Sequence, residues 1–266
     1  MMEKWLDLSG KVAIVTGGSM GLGEKMVDAL ATNGAQVISA DITEMDTHAG
    51  KDNVTLIVCD VANKASVDSM VAEVVEKFGK IDILVNNAGV SRPRMLVDYY
   101  GEHPEYELTE DDFDFMTNVN QKGVFLCSQA VARVMVKQEF GVIISMSSEA
   151  GIEGSKGQSV YSANKAAVHA FTKAWAKELG QFNIRVVAVA PGINERTPMN
   201  NDANFKALAY TRGLDPTVVH QDFSSIPLNR PGKMTEIADL ICYLSSDHAS
   251  YISGTTINIT GAKSTR

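Results

Sequence analysis

Short apolar runs recur at residues 11–16, 36–40, 54–59, 81–85, 142–146, 184–190 and 256–259, with helical spacing of apolar residues between most of them. The runs are continuous rather than alternating. A strand with apolar residues on both sides needs cover on both faces, the requirement of a parallel sheet sandwiched between helices. The chain is therefore expected to be α/β, a doubly wound parallel sheet of about seven strands. Its first unit reads as strand 11–16, a glycine turn and a helix from about Gly21 to Asn33. No repeat, low-complexity tract or linker divides the sequence, so residues 1–266 are expected to form one domain.

Two segments break the alternation. Residues 91–108, which include Arg92-Pro-Arg94 and Tyr99-Tyr100, follow the fourth apolar run without clean periodicity. Residues 192–232 follow the sixth and combine a helical stretch near 204–213 with Pro and Asn turns. Ligands of open α/β sheets lie beyond the carboxyl ends of the strands, so both segments are expected to border the crevice.

Charge and composition narrow the function. With 24 Lys and Arg against 32 Asp and Glu the formal charge is −8, which argues against general affinity for nucleic acid or anionic membrane. An anionic substrate would need a local cluster of cations. The opening MMEKWLD has no apolar signal core, and no run approaches the ~18 apolar residues of a membrane span, so a soluble cytoplasmic protein is expected. Cys59, Cys127 and Cys242 are odd in number, widely separated and set among apolar residues. They predict buried reduced thiols, with neither a disulfide framework nor a metal site.

The chemistry concentrates in three places. Residues 16–23, TGGSMGLG, place Gly17, Gly21 and Gly23 between a strand and a helix. Missing side chains there admit a pyrophosphate to the backbone, and the helix N-terminus favours its charge. Asp41 ends the second run, 18 residues after Gly23, where a carboxylate accepts hydrogen bonds from an adenosine ribose and repels a 2′-phosphate. Gly18, Ser19 and Met20 bring no cation for such a phosphate, so NAD is expected over NADP. Tyr161 and Lys165, four apart on a helix, share a face, and the ammonium would favour the tyrosinate. Such a pair is a proton donor and acceptor, and Ser148 lies 13 residues before the tyrosine.

With these pieces in order the chain resembles the short-chain dehydrogenases/reductases. The matching text is TGGSMGLG at 16–23, CDV at 59–61, NNAG at 86–89, NVNQKG at 118–123, MSSEAG at 146–151, YSANK at 161–165 and PG at 191–192. The resemblance implies a Rossmann-type domain with the NAD and substrate sites together, assembled as a homotetramer. It implies a catalytic tetrad of Asn120, Ser148, Tyr161 and Lys165. Tyr161 would exchange the proton and Ser148 would bind the reacting oxygen. Lys165 would support the tyrosinate and hold the nicotinamide ribose. Asn120, at a distortion in the fourth long helix, would anchor a water path to Lys165. It also implies a cofactor site of Gly17, Ser19, Met20, Gly21, Leu22, Gly23, Asp41, Asp60, Val61, Asn87, Ala88, Gly89, Tyr161, Lys165, Pro191, Gly192, Ile193 and Thr197. The sequence departs from the family in placing four residues between Gly192 and Thr197, and in lacking the usual final double glycine after 252–262.

Within the family, WLDL at 5–8, PRMLVD at 93–98, residues 120–138, residues 147–159 and VAPGINERT at 189–197 resemble NAD enzymes that interconvert D-sorbitol 6-phosphate and D-fructose 6-phosphate. Arg94, Lys156 and Arg196, which follow the fourth, fifth and sixth strands in the segments expected to frame the crevice, are the expected phosphate ligands, because the dianion needs cations. Ser148 and Tyr161 would meet the reacting hydroxyl, and Glu149 and Glu153 are expected to accept hydrogen bonds from the others. Two alternatives stay open: a dehydrogenase of another polyol, sugar or 3-hydroxyacyl substrate, and a nucleotide-binding scaffold without turnover.

Overall fold

The structure, a computed structural model, describes residues 6–45, 47–215 and 223–264. Trp5 and residues 216–222, which belong to motifs and segments read above, lie outside the described residues.

Seven parallel strands form one sheet in the order β3-β2-β1-β4-β5-β6-β7. They are β1 Val12–Thr16, β2 Gln36–Asp41, β3 Val54–Val58, β4 Ile83–Asn86, β5 Gly141–Met146, β6 Ile184–Pro191 and β7 Thr256–Ile259. Each expected run is a strand, within two residues at either end. The helices are α1 Gly21–Thr32, α2 Lys64–Phe78, α3 Glu110–Thr117, α4 Val124–Gln138, α5 Ala150–Glu153, α6 Ser159–Leu179, α7 Asp202–Arg212 and α8 Met234–Ser245.

Why the strands are apolar throughout is visible at β1. Ala13 and Val15 pack with Met26, Val27 and Leu30 of α1 and Ile237 and Ile241 of α8. Val12 and Ile14 face the other way, toward Val67 and Met70 of α2 and Leu126 and Val131 of α4. Successive side chains thus enter two separate helical layers, and a polar residue at any of these positions would be buried without a partner. The chain order reverses beside β1, which pairs with β2 through Val12 opposite Gln36 and with β4 through Val15 opposite Val85. That reversal opens a crevice at the carboxyl ends of β1 and β4, where the glycine turn emerges.

Local signals set the helix boundaries. Asn63 caps α2 by accepting hydrogen bonds from the N–H groups of Ala65 and Ser66. Thr109 does the same for α3 through Asp112 N at 3.1 Å. Between α3 and α4 the chain forms a π-helical turn, Asn118–Gly123, at the distortion expected around Asn120. Single π turns of this kind concentrate at functional sites. The three cysteines are free and buried, and burial pushes their thiols up, that of Cys242 to about 12. Among the described residues no helix is long and apolar enough to cross a membrane.

Candidate active site

The turn from β1 to α1 is too close to its neighbours for side chains. Gly17 has φ +65°, and a Cβ there would lie 2.9 Å from Ala88 Cα. A Cβ on Gly23 would fall 1.9 Å from the carbonyl oxygen of Gly17, so this glycine is needed for the turn to close on its own helix. Asn87 fastens the turn to the end of β4. Its Nδ2 donates to the carbonyls of Thr16 (3.0 Å) and Gly17 (3.1 Å), and its backbone N–H donates to Thr16 Oγ1 at 3.1 Å. The amide group of Asn87 is thereby engaged, and its neighbours Ala88 and Gly89 form the floor of the crevice.

Asp41, buried at the end of β2, accepts a hydrogen bond from Ser19 N at 3.1 Å and another from Thr43 N at 3.3 Å. It therefore holds the glycine turn in place. Two residues that no motif marked complete the brace. Thr47 Oγ1 donates to Ser19 O at 3.0 Å, and His48 Nε2 donates to Gly18 O at 3.0 Å while Nδ1 lies 3.0 Å from Asp28 Oδ1. Asp60 Oδ1 accepts from Ala62 N at 2.9 Å, and Val61 is buried against Gly123. Thr197 reaches the turn despite the longer spacing after Gly192. A Cβ on Gly21 would stand 3.5 Å from Thr197 Cβ and 3.1 Å from Pro198 Cδ. Pro191 ends β6, and Gly192 N donates to Ile259 O at 3.0 Å, so the closing strand pairs normally without a terminal double glycine. Ile193, like Met20 across the crevice, is exposed.

The four residues of the expected tetrad converge beside Gly89. A Cβ at Gly89 would sit 3.2 Å from Asn120 Oδ1 and 3.6 Å from Lys165 Nζ. Asn120 is fully buried and clasps Val90, accepting from its N–H and donating to its C=O, both at 2.8 Å. Lys165, buried on α6, donates to Met146 O at 2.7 Å. Its Nζ lies 5.7 Å from the centre of the Tyr161 ring. Ser148 Oγ accepts from Ala150 N at 3.2 Å, which leaves the hydroxyl proton for another acceptor.

The electrostatics differ from the expectation that the ammonium favours the tyrosinate. Burial pushes the Tyr161 phenol up, and a hydrogen bond from Ser148 works against it. Burial also lowers Lys165, to about 8. The ammonium is held by the Met146 carbonyl rather than aimed at the phenol oxygen. The two groups start from similar proton affinities and burial moves them in opposite directions, because it disfavours the charged form of each.

The expected substrate cations do not all face the crevice. Arg94 donates through Nε to Asp112 Oδ2 at 3.2 Å and through Nη1 to Pro93 O at 2.8 Å, so it is a structural ion pair. Arg196 is exposed and paired with Asp202 at 3.3 Å. Lys156 is exposed above the Tyr99 ring, with its Nζ 5.8 Å from the centroid. It helps line a cleft of about 300 Å³ with Met95, Val97, Tyr99, Gly157 and Thr211. Glu153 is exposed at the end of α5. Glu149, by contrast, lies inside. Its Oε1 accepts from Lys263 Nζ, whereas Oε2 is buried without a hydrogen-bond partner among the described residues, 3.0 Å from where a Cβ on Gly192 would be. Lys263, after β7, and Arg212, in the last turn of α7, are cations that the sequence reading did not name. The only signal for Arg212 was its place in a helix expected to border the crevice. Among the described residues no group of three His, Cys, Asp or Glu could hold a metal ion.

Residues 11–207 match the short chain dehydrogenase family. The chain is 48% identical over 264 residues to the sorbitol-6-phosphate 2-dehydrogenase of Klebsiella pneumoniae, covering 98% of this chain and 99% of that one. It is also 41% identical over 265 residues to a 3-oxoacyl-(acyl-carrier-protein) reductase of Thermotoga maritima, covering 96% and 98%. Among solved structures, levodione reductase superposes with a TM-score of 0.85 at 32% identity, over 96% of this chain and 98% of that one. A 3-ketoacyl-(acyl-carrier-protein) reductase from Brucella melitensis complexed with NADH gives 0.83 at 30% identity, over 97% and 100%.

Proposed function

The chain belongs to the short chain dehydrogenase family, and on that premise we propose that it interconverts D-sorbitol 6-phosphate and D-fructose 6-phosphate with NAD. The observation that carries the chemistry is the meeting of Ser148, Tyr161 and Lys165 at the mouth of a side-chain-free glycine cradle. The near-full-length likeness to a sorbitol-6-phosphate 2-dehydrogenase supports the substrate.

Gly17, Ser19, Met20, Gly21, Leu22 and Gly23 hold the pyrophosphate, with Asp60, Val61, Ala88 and Gly89 along the adenosine side and Pro191 to Ile193 and Thr197 at the nicotinamide end. When bound, NAD supplies the acceptor for the hydride leaving C2 of the hexitol. Tyr161 takes the C2 hydroxyl proton during oxidation and returns it during reduction. Ser148, already accepting from Ala150 N, donates its hydroxyl proton to the same oxygen as charge develops. Lys165 stabilises the ionised tyrosine through its charge and holds the nicotinamide ribose through the donors that Met146 O leaves over. Both side-chain groups of Asn120 are engaged by Val90, so the backbone of the π turn supplies its link to water and Lys165. Glu149 Oε2 accepts from a hexitol hydroxyl.

Asp41 favours NAD over NADP because its carboxylate stands where a 2′-phosphate would lie. We take the working form to be a homotetramer, which the exposed Phe113 and Phe115 on α3 and Phe125 on α4 support. A second reading, reduction of a 3-oxoacyl thioester, draws on the Thermotoga relative. Absorbance at 340 nm with NAD and a panel of polyols, polyol phosphates and 3-hydroxyacyl thioesters separates the two. NADH should form fastest with D-sorbitol 6-phosphate.

A further inference from the structure

The three cations expected to grip a phosphate leave the crevice without a committed ligand, since Arg94 and Arg196 are paired with carboxylates and Lys156 leans on Tyr99. A half-buried guanidinium remains. Arg212 donates from Nη2 to Ser155 Oγ at 3.1 Å. Among the described residues this neutral hydroxyl is its hydrogen-bond acceptor, and a guanidinium carries five N–H donors, so donors remain for a ligand.

The surrounding chain fixes this group in place. A Cβ on Gly157 would lie 2.1 Å from Thr211 Oγ1, so the last turn of α7 is pressed directly against the backbone that follows Ser155. One residue earlier, Tyr210 is bonded to Asp98 at 2.7 Å. The guanidinium therefore sits where α7 meets the 148–158 segment, beside the cleft that Thr211 and Gly157 line.

Its electrostatic setting is open to an anion. Burial pulls the guanidinium down from its ordinary range, and the nearby Glu149 carboxylate opposes that shift. Glu149 is itself engaged by Lys263 through Oε1, so one carboxylate lies between two cations. A small dianion arriving at Arg212 restores the balance and supplies acceptors in the planar fork that arginine matches.

Building on the proposed function, we infer that Arg212, with Ser155 Oγ, is the subsite for the terminal phosphate of the substrate. Glu149, between this subsite and Ser148, then meets the hydroxyls of the chain between phosphate and reacting carbon.

The test uses the full-length protein with NAD, native and as Arg212→Gln and Arg212→Lys. In Arg212→Gln the KM for D-sorbitol 6-phosphate should rise about 10- to 100-fold, the loss expected for charged hydrogen bonds, with kcat changed less than threefold. The inhibition constant of inorganic phosphate, competing with D-sorbitol 6-phosphate, should rise by a similar factor. The Kd for NADH, read by fluorescence, should stay constant and reports that the fold is intact. Arg212→Lys should fall between, because it keeps the charge and loses the fork, and it serves alone if the glutamine variant does not fold. Unchanged KM and phosphate inhibition in these variants, in a protein that prefers the phosphorylated hexitol, would overturn the subsite. If the native protein shows no such preference, the substrate reading fails instead. The subsite then stands or falls by calorimetry of inorganic phosphate with the native protein–NADH complex. Binding lost in Arg212→Gln supports it, and no binding to the native complex overturns it.

Discussion

The hydroxyl of Tyr210 donates to the carboxylate of Asp98 at 2.7 Å and accepts from the backbone N–H groups of Glu102 (3.3 Å) and His103 (3.2 Å). One side chain thus joins α7, after β6, to the irregular loop after β4. The two segments that broke the strand–helix alternation are one wall of the crevice. Tyr210 also meets Tyr100, Tyr106 and His103 at ring separations of 4.8–5.3 Å, so the wall has a small aromatic core of its own.

Tyr210→Phe keeps that core and removes the hydroxyl. It should raise KM for the polyol about tenfold, on the scale of one hydrogen bond to a charged group, with NAD affinity unchanged. Steady-state kinetics beside a cofactor titration checks this. An unaltered KM would mean that the wall does not shape the substrate site.

Tyr161→Phe should bind NAD normally and lose roughly 10²–10⁴ in kcat, the usual contribution of a positioned general acid or base. Retention of more than a tenth of native kcat would remove Tyr161 from the proton-transfer role.

The pH dependence follows from the same pair. Oxidation releases a proton and requires the pair with one proton fewer, while Lys165 is lowered to about 8. Below about pH 8, kcat/KM for oxidation should fall about tenfold per unit, and ketose reduction should show the opposite limb, with an apparent pKa belonging to the pair. Because burial pushes Tyr161 up, Lys165→Met should move the oxidation limb to higher pH. A limb left near pH 8 in that variant would assign the titration elsewhere.

For the cofactor, Asp41→Asn keeps an acceptor for Ser19 N and removes the charge, so it should narrow the NAD:NADP ratio of kcat/KM values with the turn intact. Asp41→Ala should narrow it too and also weaken NAD binding about tenfold or more, because the turn loses its anchor. Native protein that used NADP better than NAD would reverse this reading of the second strand.

The sheet was legible because each strand carries its own signal, a run of apolar residues with no polar alternate, as in VAIVT at 12–16. The π turn at Asn120 was legible through resemblance rather than through any local propensity. What escaped was set by tertiary contact. Nothing in the text around His48 shows that its ring will reach back to Gly18 O, thirty residues earlier in the chain. Arg94 and Arg212 are both arginines in segments expected at the crevice. Packing sets the first against Asp112 of α3 as an ion pair, and sets the second against the Ser155 hydroxyl with Glu149 nearby. Charge type can be read from one sequence, whereas the partner of a charge depends on packing.

Hydride transfer to a phosphorylated ketose is seen most directly in the reverse reaction. NADH oxidation by D-fructose 6-phosphate and by D-fructose should be followed at 340 nm under identical conditions. The kcat/KM for the phosphate ester should be at least about 10²-fold higher, since charged hydrogen bonds contribute about 1.5–3 kcal/mol each. Equal values for the two ketoses, or oxidation of NADH only by a 3-oxoacyl thioester, would contradict it.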